Sequence, residues 1–293
     1  MRALRWAALA ASLAAGACTS LNMMPPETGT AGAGGATAGT GGGAGTGGGA
    51  GAGGANAGAG GASAGTGGGR GGSGGTTLEP AGLIAYWRFN EGNGTTVADS
   101  SGNGQALTIS SNNGWTTSGH QDDAFAFDGA NDVASVMPQQ GQPLLAYPTI
   151  PLTFSAWIRP ASSAAARPFA TAVARSHEDY AFQDFWLGLV DGKPGCTIHS
   201  PDKQGPVASA VAPANAWTHI ACTYGLSGTA TLYVNGAYTA SMSTDQLLGP
   251  IPTAILVGAS ETSELEDYFP GAIDDVRVYN ATLTATEVMS IAR

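Results

Sequence analysis

Between residues 217 and 240 the chain reads WTHIACTYGLSGTATLYVNGAYTA, and its apolar and polar positions alternate in runs separated by glycine turns. In the first run Thr218, Ile220, Cys222 and Tyr224 fall on one face, and Trp217, His219, Ala221 and Thr223 on the other. That period of two marks a β-strand. Residues 229–234 alternate again, and Asn235-Gly236 then supplies the pair of positive-φ positions that a two-residue type I′ hairpin requires. Residues 237–242 read as the return strand. The three runs predict a β-meander with at least one buried face, and burying that face takes a second sheet.

The rest of the chain after residue 78 follows the same rhythm. Residues 82–90 set Leu83, Ala85, Trp87 and Phe89 on one face. Further short apolar runs lie at 153–159, 185–190, 196–199, 207–211, 254–259 and 271–280, with Gly-rich turns such as 191–195 between them. Near the end, Thr284 followed by Glu287 is a capping box that predicts a short helix over residues 285–291. Many short strands, glycine turns and almost no helix predict an all-β fold, an antiparallel two-sheet sandwich.

Composition divides the chain in three. Residues 1–17 have the order of a secretory signal: Arg2 and Arg5, an apolar run over 6–13, then small residues. Ala15-Gly16-Ala17 before Cys18 fits a lipoprotein box that would lipidate Cys18, and it also fits ordinary signal-peptidase cleavage at the same bond. The apolar run is too short for a lasting transmembrane span, so a lipid on Cys18 is the expected membrane attachment. Residues 18–77 then form a linker. Within it, 28–75 is Gly, Ala and Thr with two Ser, one Asn and one Arg, and it cannot bury a core. As a flexible coil its relaxed reach is roughly 35–40 Å. Residues 78–293 are the folded domain. The expected location is the outer membrane or cell surface as a lipoprotein, otherwise the periplasm or the exterior.

The net charge of −10 changes the list of partners. From Leu78 onward 8 Lys and Arg stand against 20 Asp and Glu, a balance of −12. Such a surface repels phosphate backbones, which excludes nucleic acid as a partner. Strongly acidic polysaccharides are disfavoured too, unless a cation bridges them.

Several segments resemble a known family when taken in order. They are W-R-F-N-E-G at 87–92 followed by D-S-S-G-N-G at 99–104, F-D-G-A-N-D-V at 127–133, T-F-S-A-W-I-R at 153–159, and W-T-H-I-A-C-T-Y at 217–224 with L-Y-V-N-G at 232–236. G-A-I-D-D-V-R-V-Y at 271–279 is the last. Together they resemble the LamG-like jellyroll domains of the concanavalin A-like lectin and glucanase superfamily. Val133 departs from the family pattern, which has Tyr there. The resemblance spans residues 82–291 and implies a jellyroll arrangement of the two sheets.

Candidate chemistry is sparse. In the last strand Ala272, Asp274, Val276 and Val278 alternate onto one face, a costly place for a carboxylate unless it is paired or metal-bound. By resemblance Asp274 is a ligand of a structural Ca²⁺, with Asp99, Asn103 and Asp128 as loop contributors, and an oxygen-only set suits that ion. The competing reading is that Asp274 accepts backbone N–H bonds and that Asp275 pairs with Arg277. Cys196 and Cys222, the two cysteines of the folded part, are expected to form a disulfide in an exported chain, with two buried thiols as the alternative.

Catalysis has little support. The superfamily's glucanases carry their carboxylates as E-x-D-x-E on one strand. Here the acidic cluster, Glu261, Glu264, Glu266 and Asp267, reads as a solvated loop. Ser176-His177-Glu178-Asp179 sets an acid beside a histidine, but adjacency in sequence is not a triad. For sugar stacking the loop-like aromatics Trp115, Tyr180, Phe185 and Trp186 are the candidates, against a role in core packing or loop pinning. Trp87, Trp157 and Trp217 stand at core-like positions. The expected function is a non-catalytic surface binding module for a glycan, with protein adhesion or envelope structure as the alternative and a glycan hydrolase or lyase as the remote one.

Overall fold

The computed structural model describes residues 79–137, 151–176, 183–200, 203–243, 253–261 and 264–293. The signal, Cys18 and the linker lie outside the described residues, as do Tyr180 and the His177-Glu178-Asp179 segment. Strands run in chain order β1 Leu83–Trp87, β2 Thr96–Val97, β3 Leu107–Ile109, β4 Trp115–Thr116, β5 Ala124–Asp128 and β6 Ala134–Val136. Then come β7 Leu152–Pro160, a 3₁₀ turn at Ser162–Ala166, β8 Phe169–Ser176, β9 Gln183–Val190 and β10 Lys193–Ser200. The meander supplies β11 Thr218–Tyr224, β12 Thr229–Val234 and β13 Ala237–Ser243. The chain ends with β14 Ile255–Val257, β15 Ser260–Glu261, β16 Leu265–Glu266, β17 Pro270–Tyr279 and helix α1 Ala285–Ile291.

Two antiparallel sheets face each other, as a jellyroll sandwich requires. The first runs β13-β12-β11-β7-β17-β5-β4, with β1 also on β17; the second runs β10-β9-β8-β14-β6-β3-β2. Asn235 and Gly236 both have positive φ, 50° and 76°, so the Asn-Gly pair closes the β12–β13 hairpin as its sequence predicts. One face of each sheet forms the core. Phe154, Ile220 and Leu232 point in from the first sheet, and Phe185, Leu187 and Ile198 from the second. Phe154 and Phe185 stack across the gap with ring centroids 4.7 Å apart. Burying two such side chains contributes roughly 2–3 kcal/mol each.

Cys196 on β10 and Cys222 on β11 are joined by a disulfide, with Cα atoms 6.2 Å apart. Their strands lie in opposite sheets, so the bond crosses the core rather than linking neighbours in one sheet. Helix α1 covers the outer face of the first sheet, where Val288 and Ile291 pack with Tyr279, Tyr233 and Ala221. Its start is the expected capping box: Thr284 accepts from the Glu287 N–H, and the Glu287 carboxylate accepts from the Thr284 N–H. Among the described residues, no helix is long and apolar enough to cross a membrane.

The last strand departs from simple alternation. A bulge between Asp274 and Arg277, with Asp275 at φ 49°, breaks the period of two. Ile273, Val276 and Val278 all join the core. Asp274 therefore does not share a face with the valines. It pairs with Trp157 and sits on the outer face.

Candidate functional site

The outer face of the first sheet carries most of the chemistry among the described residues. Strand pairing sets its rows. Trp157 lies between His219 and Asp274, and Ser155 lies between Ala221 and Arg277, which is flanked in turn by Tyr86 on β1. Trp217, one residue before β11, meets Arg159 at the end of β7. The Arg159 guanidinium carbon is 5.2 Å from its ring centroid. The segment between β4 and β5 folds over these rows. His120 lies flat on Trp157, with ring centroids 3.4 Å apart, and presents an edge to Trp217 at 6.3 Å.

Electrostatics explains why the face holds together. Asp274 is fully buried, and its Oδ2 accepts from the His120 N–H at 2.8 Å while Oδ1 accepts from the Asp275 N–H at 2.7 Å. Burial and the neighbouring Asp275 push its carboxyl up to about 7, against the pull of those backbone donors. Asp275 goes the other way. Burial opposes its ionisation, but the His120 ring, the Arg277 guanidinium and the Tyr86 hydroxyl hold it below the usual carboxylate range. Arg277 also lies face-on to Tyr86, 3.9 Å from the ring centroid, and donates to its hydroxyl at 2.6 Å. Tyr86 is raised, chiefly by burial. His219 is fully buried, and burial together with Arg277 lowers it to about 3, so its imidazole is neutral.

Several polar atoms here make no hydrogen bond among the described residues: Ser155 Oγ, Trp157 Nε1 and both ring nitrogens of His219. Groups of this kind are ordinarily satisfied by ordered water. Beside them an open polar cleft is lined by Glu79, Pro80, Gln121, Arg277, Ser290, Ile291 and Arg293. Glu79 closes one wall by accepting from the Tyr279 hydroxyl and by pairing with Arg277 Nε at 3.6 Å. Asp274 and Asp275 have carboxyls pushed in opposite directions, but they are sequence neighbours buried under one loop. They do not flank an open groove in the way that acid and nucleophile flank a glycosidic bond.

The four residues expected to hold calcium are each engaged elsewhere. Asp99 accepts from the N–H groups of Tyr86, Ser101 and Gln105 at 2.9–3.0 Å. Burial opposes its ionisation, yet these donors hold it below its usual range. The Asn103 amide donates to Leu83 O and Ile84 O, so this loop caps the free edge of β1. Asp128 turns the chain after β5 by accepting from the N–H groups of Ala130, Asn131 and Asp132. It stands opposite Pro270, four positions along β17 from Asp274, about 13 Å by strand rise. Among the described residues no three His, Cys, Asp or Glu side chains gather as a metal site, and Asp128 stands too far along β17 to share an ion with Asp274.

The aromatic expectations need correction as well. Phe185 and Trp186 do not lie in loops; both are fully buried in β9, Phe185 in the core and Trp186 on the opposite face. Trp186 Nε1 donates to Thr171 Oγ1 at 2.8 Å, and Phe169 packs edge-on against its ring. Lys203 then sits over Phe169, 4.9 Å from the ring centroid, and pairs with Asp267 and Glu266. Thus part of the acidic segment pairs as a small β15–β16 hairpin, and Glu266 and Asp267 neutralise the buried Lys203, while Glu264 is exposed as a solvated loop would have it. Trp115 is half-buried, its Nε1 bonded to Gly94 O at 2.8 Å and its ring against Phe125. Trp87 is buried, as its position implies, and Trp157 is buried on the outer face rather than in the core. Trp217, expected in the core, is half-exposed. Its signal was its phase: it alternates with Ile220 and Cys222, the core residues of its strand.

Sequence and structure comparisons agree with this architecture. The Laminin_G_3 family model, of the concanavalin A-like lectin/glucanases superfamily, matches residues 139–289, just over half of the chain. No curated protein matches it. Among solved structures, domain 4 of AbnA, a GH43 extracellular arabinanase from Geobacillus stearothermophilus, in complex with arabinotriose, is 19% identical with a TM-score of 0.51. That match covers 72% of this chain and 98% of the other. The botulinum neurotoxin serotype D/C binding domain is 13% identical with a TM-score of 0.55. The binding domain of botulinum neurotoxin DC in complex with rat synaptotagmin II is 14% identical with a TM-score of 0.54. Each of these two matches covers 72% of this chain, which spans about half (51%) of the toxin domain. At these identities the likeness is one of fold. With the family match, the two-sheet sandwich and the motif order in agreement, the chain belongs to the concanavalin A-like lectin/glucanases superfamily.

Proposed function

We propose that this protein is a non-catalytic binding module for carbohydrate, exported and held at the cell envelope by a lipid on Cys18, with residues 18–77 as the spacer. The observation that carries the glycan reading is Trp217, a half-exposed indole on the outer sheet face with the Arg159 guanidinium over one side of its ring and the other side left for a sugar. An indole face buries the apolar side of a pyranose, and a neighbouring guanidinium donates to its hydroxyls. The engagement of the carboxylates supports binding over catalysis. Glu266 and Asp267 balance Lys203, and Asp274 and Asp275 hold His120 of the loop over the sheet. The arabinotriose complex of a similar fold supports a sugar ligand; the synaptotagmin complex of another makes a protein partner the second reading.

A polysaccharide array probed with the purified chain tests the proposal. The expected result is retention by one or a few neutral glycans with no release of reducing ends. Release of reducing ends would replace it with a hydrolase, and a silent array would turn the search to protein partners.

A further inference from the structure

Lysine is rarely buried, yet Lys203 is only 8% exposed. Its Nζ is in direct contact with Asp267 Oδ2 and donates to Ser260 Oγ at 3.2 Å. The Phe169 ring covers it from another side, with the centroid 4.9 Å away, and Glu266 Oε1 is 3.8 Å away. Ser260 is fully buried. An amine, a carboxyl group and a second carboxylate therefore meet beneath an aromatic ring.

The backbone holds both partners there. Lys203 has φ 50° and Asp267 has φ 52°, in the left-handed region that is costly for residues other than glycine. Neither is free to relax out of it. After Lys203, Gln204 O accepts from Thr197 Oγ1 at 2.7 Å, and Pro206 O accepts from the Cys196 N–H at 3.1 Å. Gly205 lies so close to β10 that a Cβ there would stand 1.9 Å from Cys196 O. At the other partner, Asp267 O accepts from the Thr171 N–H at 2.9 Å, and the Phe269 N–H donates to Gly258 O at 2.9 Å. An ion pair between two flexible side chains needs no such anchoring. Reacting groups fixed in this way have effective concentrations of about 10⁵–10⁸ M, which favours a condensation that free amine and acid do not complete in water.

We propose that Lys203 and Asp267 condense into an intramolecular amide, a covalent cross-link between the segment after β10 and the segment after β16. One proton passes from the Nζ ammonium to the Asp267 carboxylate, leaving an amine and a carboxylic acid. The Nζ lone pair attacks Cγ, and the Nζ–Cγ bond forms. Glu266, after a small rotation of its side chain, carries a second proton from Nζ to the departing hydroxyl. The Cγ–O bond breaks with its electron pair, and one water leaves. The remaining amide N–H donates to Ser260 Oγ, as the ammonium does. The two charges cancel, and no oxidant or cofactor is consumed. The bond joins residues 64 apart in sequence and, unlike Cys196–Cys222, is indifferent to reductant. The inference does not depend on the ligand.

Tryptic digestion of the full chain, unfolded and reduced, tests it by mass. Trypsin cuts after Arg175 and Arg277 and spares Lys193, which precedes Pro194. An amide on Lys203 blocks the cut there. The expected product is therefore residues 176–277 as one peptide, lighter than its sequence by one water, with fragmentation placing the loss on Lys203 and Asp267. Asp267→Ala is expected to give 176–203 and 204–277 at full mass. The wild-type peptide decides the matter whether or not that variant folds. Wild-type fragments 176–203 and 204–277, or an uncut 176–277 at full mass, overturn the proposal. So does a water-light 176–277 that persists in Asp267→Ala.

Discussion

His120 lies flat on Trp157, ring centroids 3.4 Å apart and planes within 13°, and this stack joins the β4–β5 loop to the outer face of the first sheet. The same loop is fixed by the His120 N–H on Asp274 and by the Gln121 side chain on Arg293 O. Removing the imidazole uncovers an indole and takes from the loop both the stack and the ring's contact with Asp275. His120→Ala is expected to cost about 1–2 kcal/mol and to shift tryptophan emission to the red. Urea unfolding and fluorescence check both. An unchanged spectrum would mean that the loop holds without the stack.

The Cys196–Cys222 bond closes a 26-residue separation across the core. In the chain-entropy view it contributes about 3 kcal/mol by restricting the unfolded chain. Reduction, or the double Cys→Ala variant, is expected to lower the melting temperature by roughly 6–12 °C at this domain size. Calorimetry with and without reductant measures it.

Asp274 makes stability depend on pH in a direction opposite to most carboxylates. Its folded-state carboxyl, raised to about 7, holds a proton that the unfolded chain has lost above about pH 4. Stability from this group is full below pH 4 and declines as pH rises through 7. Asp275, held low, contributes above the ordinary carboxylate range and loses its contribution as pH falls. Asp274→Asn is expected to flatten the decline between pH 4 and 7 while leaving the acid limb in place. Unfolding free energies across that range decide the matter.

Arg175 and Asp184 form an ion pair with no exposed side-chain surface, Nη2 to Oδ2 at 2.6 Å. Burial lowers the guanidinium and Asp184 compensates. Asp184→Ala removes one partner of this buried ion pair and is expected to cost about 3–5 kcal/mol, whereas an apolar replacement of both partners costs far less. Equilibrium unfolding of the single and double variants separates the two effects.

Much of this fold was legible in the residues, where a local rule and the final environment agree. Asn235-Gly236 needs only its own backbone, and the Thr284–Glu287 cap only four neighbouring positions. The alternation of β11 survives because one of its faces meets the core and the other meets α1 and the His120 loop. The misses have physical causes too. Simple alternation puts Asp274 on the valines' face, but a bulge at Asp275 resets the period, and nothing in I-D-D-V announces it. Phe185 and Trp186 head the apolar run read at 185–190, but β9 starts earlier, at Gln183, and both rings are fully buried, one on each face of the strand. What covers Trp186's side, Lys203 with Asp267, comes from segments 64 residues apart, beyond any local signal.

The most direct test of the binding reading is titration of an array-selected neutral oligosaccharide into the wild type and Trp217→Ala, with melting temperatures measured alongside. The reading predicts about a tenfold weaker dissociation constant in the variant at an unchanged melting temperature. Equal affinity in the two proteins would contradict it and move the site away from the outer face of the first sheet.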